Sequence, residues 1–512
     1  MNATHALASL AAVVAAVGLA SVVRSSMSVD RDFPPAAEAD TLRSTPVSGG
    51  ADSAPRAKAP PPTPRTGSAN ADWTRFGWDA GRSNASTAPT GLTAANLSTL
   101  RRQQAAIDGV VDASPIYLKG VRVGGATHDV FFVTTIYGKT LAVDANDGQT
   151  LWRYTPPNYD SWAGSRQITN ATPVADSSRQ FIYAASPDGR VQKLSVSDGS
   201  AVWSTPITKL PAREKIASSL NLFRGRVIAV TGGYIGDASP YQGHVAILDG
   251  ATGRLLSVWN SLCSDRRELM DPSSCSESGS AIWGRAGAVI DSTTGNIYVA
   301  TGNGRWDGRT NWGDAAIVLD PNAAAILGNY TPTNTDDLEA SDRDLGSTSP
   351  ALLGGGIIAQ GGKDRTIRLL DVEQMRGMTP HKGGEKQSVP TPSGANLFTA
   401  PAVVSSPKGT WLFAGDGGGT AAWSYGGGQL RPMWKNANAG TSPAFAGGLL
   451  YVYDPGGKLR VYEPETGKVV AELECGGGHW NSPIVVDGKI ALPEGNANSH
   501  GMTGTLNIWR LP

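Results

Sequence analysis

Short stretches of alternating hydrophobic and polar residues recur from about residue 112 to the end of the chain, separated by turns rich in Gly and Asp. One half of the repeated unit reads GKTLAVDANDGQTLWRY at 138–154, and similar stretches stand at 189–205, 243–259 and 457–473. Alternation with a period of two is typical of strands with one buried face. Because Gly supplies a positive φ and Asp caps a tight turn, each stretch predicts two antiparallel strands joined by a turn.

The other half of the unit begins with a small residue, usually followed by Pro, and continues as an apolar run. Pro is tolerated at the start of a strand, where its missing N–H costs least. Four strands in each of eight units, repeated every ~40–65 residues, predict an all-β, eight-bladed propeller of four-stranded blades with very little helix. The eight motifs are ASPIYL (113–118), ATPVAD (171–176), ASSLNL (217–222), RAGAVI (285–290), TSPALL (348–353), TAPAVV (399–404), TSPAFA (441–446) and NSPIVV (481–486).

The eighth unit ends after its third strand, which leaves an unpaired strand edge. The segment LSTLRRQQAAID at 97–108 has the pattern of a fourth strand and precedes the first complete unit. We therefore expect an N-terminal strand over 98–107 to pair antiparallel with 505–511 and to close the ring.

Five longer stretches interrupt the repeat, and we expect them in loops and not in strands. If several gather on one face, they form a functional surface above the axial channel, as loops on a rigid scaffold often do. We expect 155–166, 260–279, 331–346 and 372–396 to follow outer strands or turns between blades, and 305–313 to be a hairpin connection.

Composition fits many short strands and turns, with 63 Gly and 33 Pro in 512 residues. A net charge of zero argues against nucleic acid as the main partner. Among the 14 Trp, Trp152, Trp203 and Trp259 recur at one position of the repeat. That recurrence favours packing between neighbouring blades over ligand binding.

The N-terminus has a different character. Residues 6–23 are uncharged and apolar, about long enough for a short membrane span, and no Lys or Arg precedes them. Residues 1–26 are therefore either a signal peptide, cleaved before Ser21, or a retained membrane anchor. Both alternatives predict export to a periplasmic or extracellular location. Residues 27–71 are rich in Pro, Ala, Ser and Thr and predict a disordered linker before a propeller domain at 72–512.

Cysteine and histidine give little evidence of a metal or haem site. Cys263 and Cys275 lie in one insertion and can form a local disulfide in an oxidising compartment, which leaves Cys475 over. The six His show no paired metal spacing, and the chain has no C-x-x-C-H motif for attached haem.

The blade pattern D-x-x-T-G-x-x-x-W resembles the PQQ-repeat family, the eight-bladed quinoprotein alcohol dehydrogenase-like propellers. The stretch 72–102 is also similar to the lead-in that precedes the first blade in this family, so the resemblance covers 72–512. This resemblance is much more specific for the fold than for the chemistry. The same propeller serves dehydrogenases, an outer-membrane assembly lipoprotein and proteins without known activity.

The resemblance also implies a quinone site. Family enzymes stack pyrroloquinoline quinone (PQQ) on a Trp, hold a Ca²⁺ against it through oxygen ligands, and use an Asp as base. By this resemblance Trp283 matches the floor Trp, Asn303 of the TGN motif matches the amide ligand of Ca²⁺, and Lys363 matches a basic residue that contacts the quinone. Asp342 and Asp344 both match the catalytic Asp.

Each of these residues also has an ordinary structural interpretation, as blade packing, turn residue or solvated charge. Two departures from the family weaken the quinone interpretation. The chain has no adjacent cysteines, which family alcohol dehydrogenases place over the quinone. In the third unit Tyr234 stands where the carboxylate ligand of Ca²⁺ is expected, which leaves Asp237 as the replacement.

Two functions remain open. The first is a non-catalytic exported propeller with a degenerate quinone site, which presents a binding face or axial pocket to a protein, a glycan or a small molecule and needs no cofactor. An outer-membrane assembly scaffold is a special case of it, disfavoured because no lipid-anchor Cys lies near the N-terminus. The second is a divergent alcohol or polyol dehydrogenase that depends on PQQ and calcium.

Overall fold

A computed structural model describes residues 72–512, which form eight four-stranded antiparallel sheets and one two-stranded ribbon. This is the eight-bladed all-β propeller that the repeat predicted. The described part of the chain contains a single short α-helix, Thr335–Ala340, and none of its helices has the length and apolarity needed to cross a bilayer. The predicted export segment and linker lie outside the described residues.

The first nineteen strands provide the first four complete blades, β2–β5, β6–β9, β11–β12–β14–β15 and β16–β19, the ribbon β10–β13, and strand β1, which belongs to the last blade. Their bounds are β1 (Arg101–Ile107), β2 (Ile116–Val123), β3 (Ala126–Thr134), β4 (Thr140–Asp144), β5 (Thr150–Tyr154), β6 (Val174–Ala175), β7 (Phe181–Ser186), β8 (Arg190–Ser195), β9 (Ala201–Pro206), β10 (Glu214–Lys215), β11 (Asn221–Phe223), β12 (Arg226–Val230), β13 (Gly232–Gly233), β14 (His244–Asp249), β15 (Leu255–Asn260), β16 (Val289–Ile290), β17 (Ile297–Ala300), β18 (Ala316–Leu319) and β19 (Ile326–Tyr330).

The remaining strands provide blades β20–β23, β24–β27 and β28–β31, and three strands of the last blade. They are β20 (Ala351–Gly354), β21 (Ile357–Gln360), β22 (Thr366–Asp371), β23 (Gln387–Pro390), β24 (Ala402–Ser406), β25 (Gly409–Asp416), β26 (Gly419–Gly426), β27 (Gln429–Asn436), β28 (Ala444–Ala446), β29 (Leu449–Asp454), β30 (Lys458–Tyr462), β31 (Val469–Glu474), β32 (Ile484–Val486), β33 (Lys489–Glu494) and β34 (Gly504–Arg510). Short 3₁₀ turns lie at Leu97–Thr99, Tyr159–Ser161, Pro272–Ser274, Leu345–Ser347 and Ala497–Ser499.

The last blade takes its outermost strand from the beginning of the described chain. Strand β1 pairs antiparallel with β34, with Gln104 opposite Asn507, and β34 pairs in turn with β33. This is the antiparallel pairing that the sequence pattern predicted. Strand β1 begins only at Arg101, because Leu97–Thr99 forms a 3₁₀ turn. The pairing joins the two ends of the propeller sequence in one sheet.

The recurrent tryptophans join neighbouring blades, as predicted. The indole N–H of Trp152 in the first complete blade donates to Val196 O in the next blade at 2.8 Å. Trp203 makes the equivalent bond to Gly250 O at 3.3 Å, and Trp259 is buried in the core between the third and fourth blades. The repeat's Asp-Gly turn therefore has two roles, since it reverses the chain and receives the preceding blade's Trp.

Small polar residues ahead of several inner strands also connect blades. The Ser114 hydroxyl donates to Ser482 O at 2.9 Å, while the Ser114 N–H donates to the Thr172 hydroxyl at 3.1 Å. On the other side of the ring, the Ala400 N–H donates to the Ser442 hydroxyl at 2.8 Å. These bonds give a physical reason for Ser or Thr before Pro in the repeat.

Residues 72–90, here called the axial segment, bind the inner strands of six blades and the turn that follows the inner strand of a seventh. Trp73 and Tyr117 exchange two backbone hydrogen bonds of 2.8 and 2.9 Å with one another. The segment accepts backbone N–H bonds from Ala175, Ile290, Val403, Phe445 and Gly488, and Arg75 donates to Leu222 O in the third blade at 2.6 Å. Because the inner edge of a propeller blade has no neighbouring strand, the axial segment supplies the missing backbone partners.

A buried arginine fixes the axial segment in place. Arg82 is 3% exposed and donates to Phe76 O at 2.6 Å, to Leu220 O at 2.8 Å and to Ser219 O at 3.2 Å. Burial lowers its pKa, and the charge of Arg75 lowers it further while Asp79 opposes the shift. The guanidinium thus links a turn of the axial segment to the entrance of the third blade.

Four of the five insertions lie at one end of the strands. In an antiparallel blade, the connection between the second and third strands and the connection to the next blade lie at the same end. The insertions 155–166, 260–279, 305–313 and 331–346 all fall in such connections. The fifth differs from the prediction, since 372–386 lies at the opposite end and Gln387–Pro390 is itself a strand.

The fit between a turn glycine and the preceding blade's Trp can be tested at Gly199. A Cβ on Gly199 would lie 2.5 Å from the Trp152 ring, and the residue has a φ of +73°. We expect Gly199→Ala to lower the free energy of unfolding by about 1–3 kcal/mol through this clash, measured by thermal and denaturant unfolding. Gly225→Ala is the matched control, because Gly225 has a φ of +75° and nothing lies within 4 Å of its added Cβ. Equal losses in both variants would contradict the packing role.

The structural role of the axial segment can be tested at Arg82. Replacement by Met removes a charged donor from three buried carbonyl groups, so we expect Arg82→Met to cost about 1.5–3 kcal/mol of unfolding free energy. The control is Arg431→Met, because Arg431 is exposed on an outer strand. Unchanged thermal unfolding of Arg82→Met would show that the axial segment is a loosely bound lead-in.

Candidate functional site

The residues matched to a quinone site lie in five connections at the end of the propeller that carries the four insertions. Each connection either enters a blade or joins the second and third strands of one, so the rigid blades position all of them. They are Asp237 between β13 and β14, Trp283 before β16, Asn303 between β17 and β18, Asp342 and Asp344 between β19 and β20, and Lys363 between β21 and β22.

The structure brings Lys363, Asp342, Asp344 and Trp283 together. The Lys363 ammonium lies 2.5 Å from Asp344 Oδ2 and 2.8 Å from Asp342 Oδ1. It also lies 5.3 Å from the centroid of the Trp283 ring. Asp344 is buried, whereas the Asp342 side chain is 62% exposed. Of the two Asp candidates, Asp344 is therefore the inner carboxylate and Asp342 the outer one.

Asn303 joins the same group through its backbone and its side chain. Its N–H donates to Asp344 Oδ1 at 2.7 Å, and its side-chain amide donates to Asp342 Oδ1 at 3.3 Å. A Cβ on the preceding Gly302 would lie 2.3 Å from Asp344 Oδ1, so only glycine permits this approach. The Gly304 N–H donates to Glu339, which fixes the same turn from the short helix. The T-G-N-G sequence is thus a turn shaped around two carboxylates.

Asp237 lies close enough for its charge to interact with the group. Burial raises its pKa, and the Asp344 charge raises it further, while Tyr241 and Lys363 oppose the shift. The Tyr241 hydroxyl donates to Asp237 Oδ1 at 3.0 Å. Tyr234, which stands at the expected position of the carboxylate ligand, instead donates its hydroxyl to Pro211 O at 2.8 Å.

Two further aromatic side chains extend the surface that begins at Trp283. The Trp283 ring centroid lies 5.9 Å from both Trp480 and Phe398, and the two Trp planes are only 30° apart. We call these three residues the aromatic platform. Both Trp are half-buried. Sequence reasoning missed Phe398 and Trp480, although each stands immediately before the small-residue motif of its unit, the position that faces the axis.

Asp112 occupies the same repeat position in the first blade and lies beside the platform. Its carboxylate is 2.8 Å from His479 Nδ1 and accepts the Trp480 N–H at 2.8 Å. Burial alone would raise the pKa of Asp112, but His479, Arg285 and the Ala497 N–H together lower it to about 2. This anchored carboxylate holds Trp480 in position.

Arg285 ties four blades together beneath the platform. It is 1% exposed and belongs to the fourth blade, and it donates to Asp112 O at 2.8 Å, Ala217 O at 3.3 Å and Asn170 O at 3.4 Å, carbonyl groups of three other blades. Its guanidinium carbon lies 4.9 Å from the Trp480 ring centroid. Burial lowers the pKa of Arg285 to about 10, although Asp112 opposes this shift. The Trp480 ring therefore packs on a buried, hydrogen-bonded guanidinium group.

These residues, as arranged, do not fit a resident Ca²⁺. Both Asp344 oxygens already bind donors, the Asn303 N–H and the Lys363 ammonium, and Asp342 binds the same two residues. Residues 72–512 contain no group of three or more His, Cys, Asp or Glu side chains placed to hold a metal ion. Ca²⁺ requires six to eight oxygen ligands, so the present donor set is too small and already engaged.

The site also lacks the cysteine pair that would cover a quinone. Cys263 and Cys275 form a disulfide with each other, and within the described residues Cys475 is the free cysteine. The aromatic platform remains as the surface available to a ligand, with the Lys363, Asp342 and Asp344 charges at its edge. This arrangement can bind a flat or apolar ligand face and bond to its polar groups.

Comparison with known proteins relates this fold to two kinds of protein. The family model PQQ_2, described as outer membrane protein assembly factor BamB, matches residues 85–305 and 379–502, about two thirds of the chain. The quinohemoprotein alcohol dehydrogenase ADH IIB of Pseudomonas putida is 26% identical over 211 residues, which are 36% of this chain and 28% of that protein. The match thus spans less than a third of that curated relative.

Solved structures agree on the fold. The quinohemoprotein alcohol dehydrogenase of Comamonas testosteroni superposes with a TM-score of 0.65 and 17% identity, over 87% of this chain and 81% of that chain. A europium-containing methanol dehydrogenase gives a TM-score of 0.62 and 15% identity, over 86% of this chain and 98% of that chain. At such identities the likeness shows the propeller fold alone.

The charge of Asp112 should contribute to stability in a defined pH range. Because its folded pKa of about 2 lies below the ordinary value of 3.8, the contribution is complete above pH 3.8 and is lost as the pH falls through about 2. We expect Asp112→Asn to be less stable than wild type by about 2 kcal/mol at pH 6, and the difference to shrink between pH 4 and pH 2.

The measurement is thermal unfolding of both proteins across this pH range. Asp160→Asn, at an exposed position, serves as the control. A difference between wild type and Asp112→Asn that stays constant from pH 6 to pH 2 would rule out the electrostatic explanation.

Proposed function

The chain belongs to the PQQ_2 family of repeat propellers, and from this premise we propose that it is an exported binding propeller whose degenerate quinone site takes a small ligand on the aromatic platform. The observation that carries the proposal is that the two carboxylates of the site are already paired with other side chains. Asp342 and Asp344 already bind Lys363 and Asn303, which leaves no set of free oxygen atoms for calcium. Trp283 and Trp480 of the platform stay partly exposed at the end of the propeller that carries the insertions, whereas Phe398 is buried.

The charges at the site favour a neutral ligand that carries hydroxyl groups. One ammonium faces two carboxylates, so the Lys363 group keeps a net negative charge and repels an anion such as PQQ, which carries three carboxylates. Aromatic faces pack against the C–H face of a sugar or polyol, while carboxylates accept hydrogen bonds from its hydroxyl groups. A glycan or polyol therefore suits the chemistry of Trp283, Trp480 and Asp342.

Export is supported by two features. The Cys263–Cys275 disulfide suits an oxidising compartment. The description of the matched family as an outer membrane protein assembly factor also suits a protein that acts outside the cytoplasm. Under this proposal residues 1–26 direct export and the linker separates the propeller from them. A protein partner on the same face, as for an assembly scaffold, is the special case in which the insertions rather than the platform make the contact.

A second candidate function is a divergent dehydrogenase that depends on PQQ and calcium. It is favoured by one observation, the convergence of Trp283, Asn303, Asp344 and Lys363 from four different connections. In that case Lys363 would have to leave at least one carboxylate before a metal could bind. The two candidates thus differ in whether PQQ with calcium binds the wild-type protein.

The test is a ligand titration of the purified full chain, followed by tryptophan fluorescence and thermal unfolding. We expect PQQ to give no saturable change with or without calcium, and no dye-linked oxidation of methanol, ethanol or glycerol. Among neutral sugars and polyols, we expect at least one class to raise the melting temperature, because the partly exposed Trp283 and Trp480 provide its packing surface.

Trp480→Ala should abolish the effect of such a ligand, whereas Trp411→Ala, a blade residue away from the platform, should not. Saturable PQQ binding that requires calcium, with alcohol oxidation, would instead establish the dehydrogenase. A ligand effect that is equal in Trp480→Ala and wild type would place the binding site away from the platform.

A further inference from the structure

A fully buried histidine lies between the ribbon β10–β13 and the insertion 260–279. His244 is the first residue of β14, and its side chain and that of Glu214 on β10 are both 0% exposed. We infer that His244, with Glu214 and Asn260, forms a protonation-dependent clasp that fastens the insertion to the ribbon and releases it in alkaline solution. The clasp uses none of the residues of the aromatic platform, so it is independent of the ligand proposed there.

The amide of Asn260 fixes the hydrogen on one ring nitrogen of His244. Asn260 is the last residue of β15, and its NH₂ group donates to Arg266 O at 2.8 Å and to Glu268 O at 3.2 Å. The amide oxygen of Asn260 must therefore be the atom that faces His244 Nδ1, 2.7 Å away. Because an amide oxygen only accepts, Nδ1 carries a hydrogen and donates it.

Glu214 presents acceptors to the other ring nitrogen. Its Oε1 accepts the Gln242 N–H at 3.0 Å, and its Oε2 accepts the Thr208 hydroxyl. The Leu210 N–H donates to that hydroxyl oxygen at 2.9 Å, so the hydroxyl hydrogen is directed at Glu214. His244 Nε2 lies 3.1 Å from the carboxylate. A second proton is therefore required between Nε2 and Glu214, as in a buried imidazolium–carboxylate pair.

The hydrogen-bond network continues from the clasp into the insertion. The side-chain oxygen of Gln242 accepts the Leu262 N–H at 3.0 Å. The Cys263–Cys275 disulfide closes a loop around the two carbonyl groups that Asn260 binds. This loop is thus attached to the ribbon and to the third blade through groups that depend on one proton.

Glu214 supplies the charge that keeps His244 protonated. Burial alone would lower the pKa of His244, but the Glu214 charge and the hydrogen bonds to Glu214 and Asn260 raise it above 6.5. The stabilisation is therefore complete below pH 6.5 and is lost as the pH rises through the folded pKa. Loss of the proton leaves two acceptor atoms facing each other in a fully buried site, which is unfavourable.

The other charged side chains of the neighbouring elements do not face the imidazole. Lys215 follows Glu214 on β10, and its charge lowers the pKa of His500 instead. The flanking strands β12 and β15 carry no charged residue at this end of the sheet. The remaining charged residues of the connection before β10 and of the insertion are exposed, among them Lys209, Arg213, Arg266 and Glu268.

The experiment measures hydrogen exchange of the amides in 260–279 by mass spectrometry on the full chain, between about pH 6 and pH 9.5. Rates are corrected for the pH dependence of intrinsic exchange, and strand β26 of the sixth blade is the internal reference. We expect the protection of 260–279 to fall about ten- to a hundredfold over this range, because a hydrogen bond to a charged group is lost. Protection of β26 should not change in this way.

Glu214→Gln separates the pH response from the structural role. The new amide donates to Nε2 of a neutral His244, while its oxygen still accepts the Gln242 N–H, so the hydrogen bonds persist without the extra proton. We expect this variant to keep the insertion protected and to lose the pH response. His244→Gln should instead leave the insertion weakly protected at both ends of the pH range, because a Gln side chain does not reach both partners.

His128→Gln is the matched control. His128 Nδ1 lies 2.7 Å from Asp144 Oδ2, but this pair belongs to the first blade and its imidazole is 25% exposed. We expect the pH response of 260–279 to be unchanged in this variant, and loss of the response there would overturn the role of His244.

The clasp is also overturned if the wild-type protection of 260–279 stays constant between these pH values, or if Glu214→Gln retains the wild-type response. Because the wild-type profile alone can refute the clasp, a variant that fails to fold does not remove the test. Absence of sugar or polyol binding would refute the proposed function, but it would leave these exchange differences unchanged.

Discussion

The free inner edge of each blade is the constraint on which this structure depends. Eight inner strands face the axis with backbone groups that no neighbouring strand can bind, and buried backbone groups without partners are costly. The axial segment meets this requirement by following the ring from Trp73 at the first blade to Thr90 at the last. The site at the other end of the inner strands can be rigid because the axis beneath it is filled and hydrogen-bonded.

Much of the fold follows from local pattern. Alternation and Asp-Gly turns are sufficient to predict four strands per unit, and the recurrence of Trp152 and Trp203 is sufficient to predict contacts between blades. The path of the axial segment was not predictable in this way, because DWTRFGWDAGRSNAS has no period and its partners lie up to several hundred residues away. Strand β23 was missed for a related reason, since its four residues follow a long connection.

The site was predictable only as far as the resemblance to a family reaches. Trp283, Asn303, Asp344 and Lys363 do converge, but the motif could not show that the lysine binds both carboxylates, because this depends on how two loops approach at Gly362. Phe398 and Trp480 belong to other blades, and their contact with Trp283 arises from ring closure. Their common position before the small-residue motif was the available signal, and it becomes visible only when the eight units are aligned on the axis.

The path of the axial segment also sets an order of events during synthesis. The segment leaves the ribosome before any blade, yet its hydrogen-bond partners are made one after another, from Tyr117 to Gly488. Its residues can pair only as successive blades are made, and β1 waits longest, since β34 is the last strand to be made. A chain interrupted late in translation would therefore expose both an open ring and an unpaired leading strand, the features that recruit chaperones and proteases.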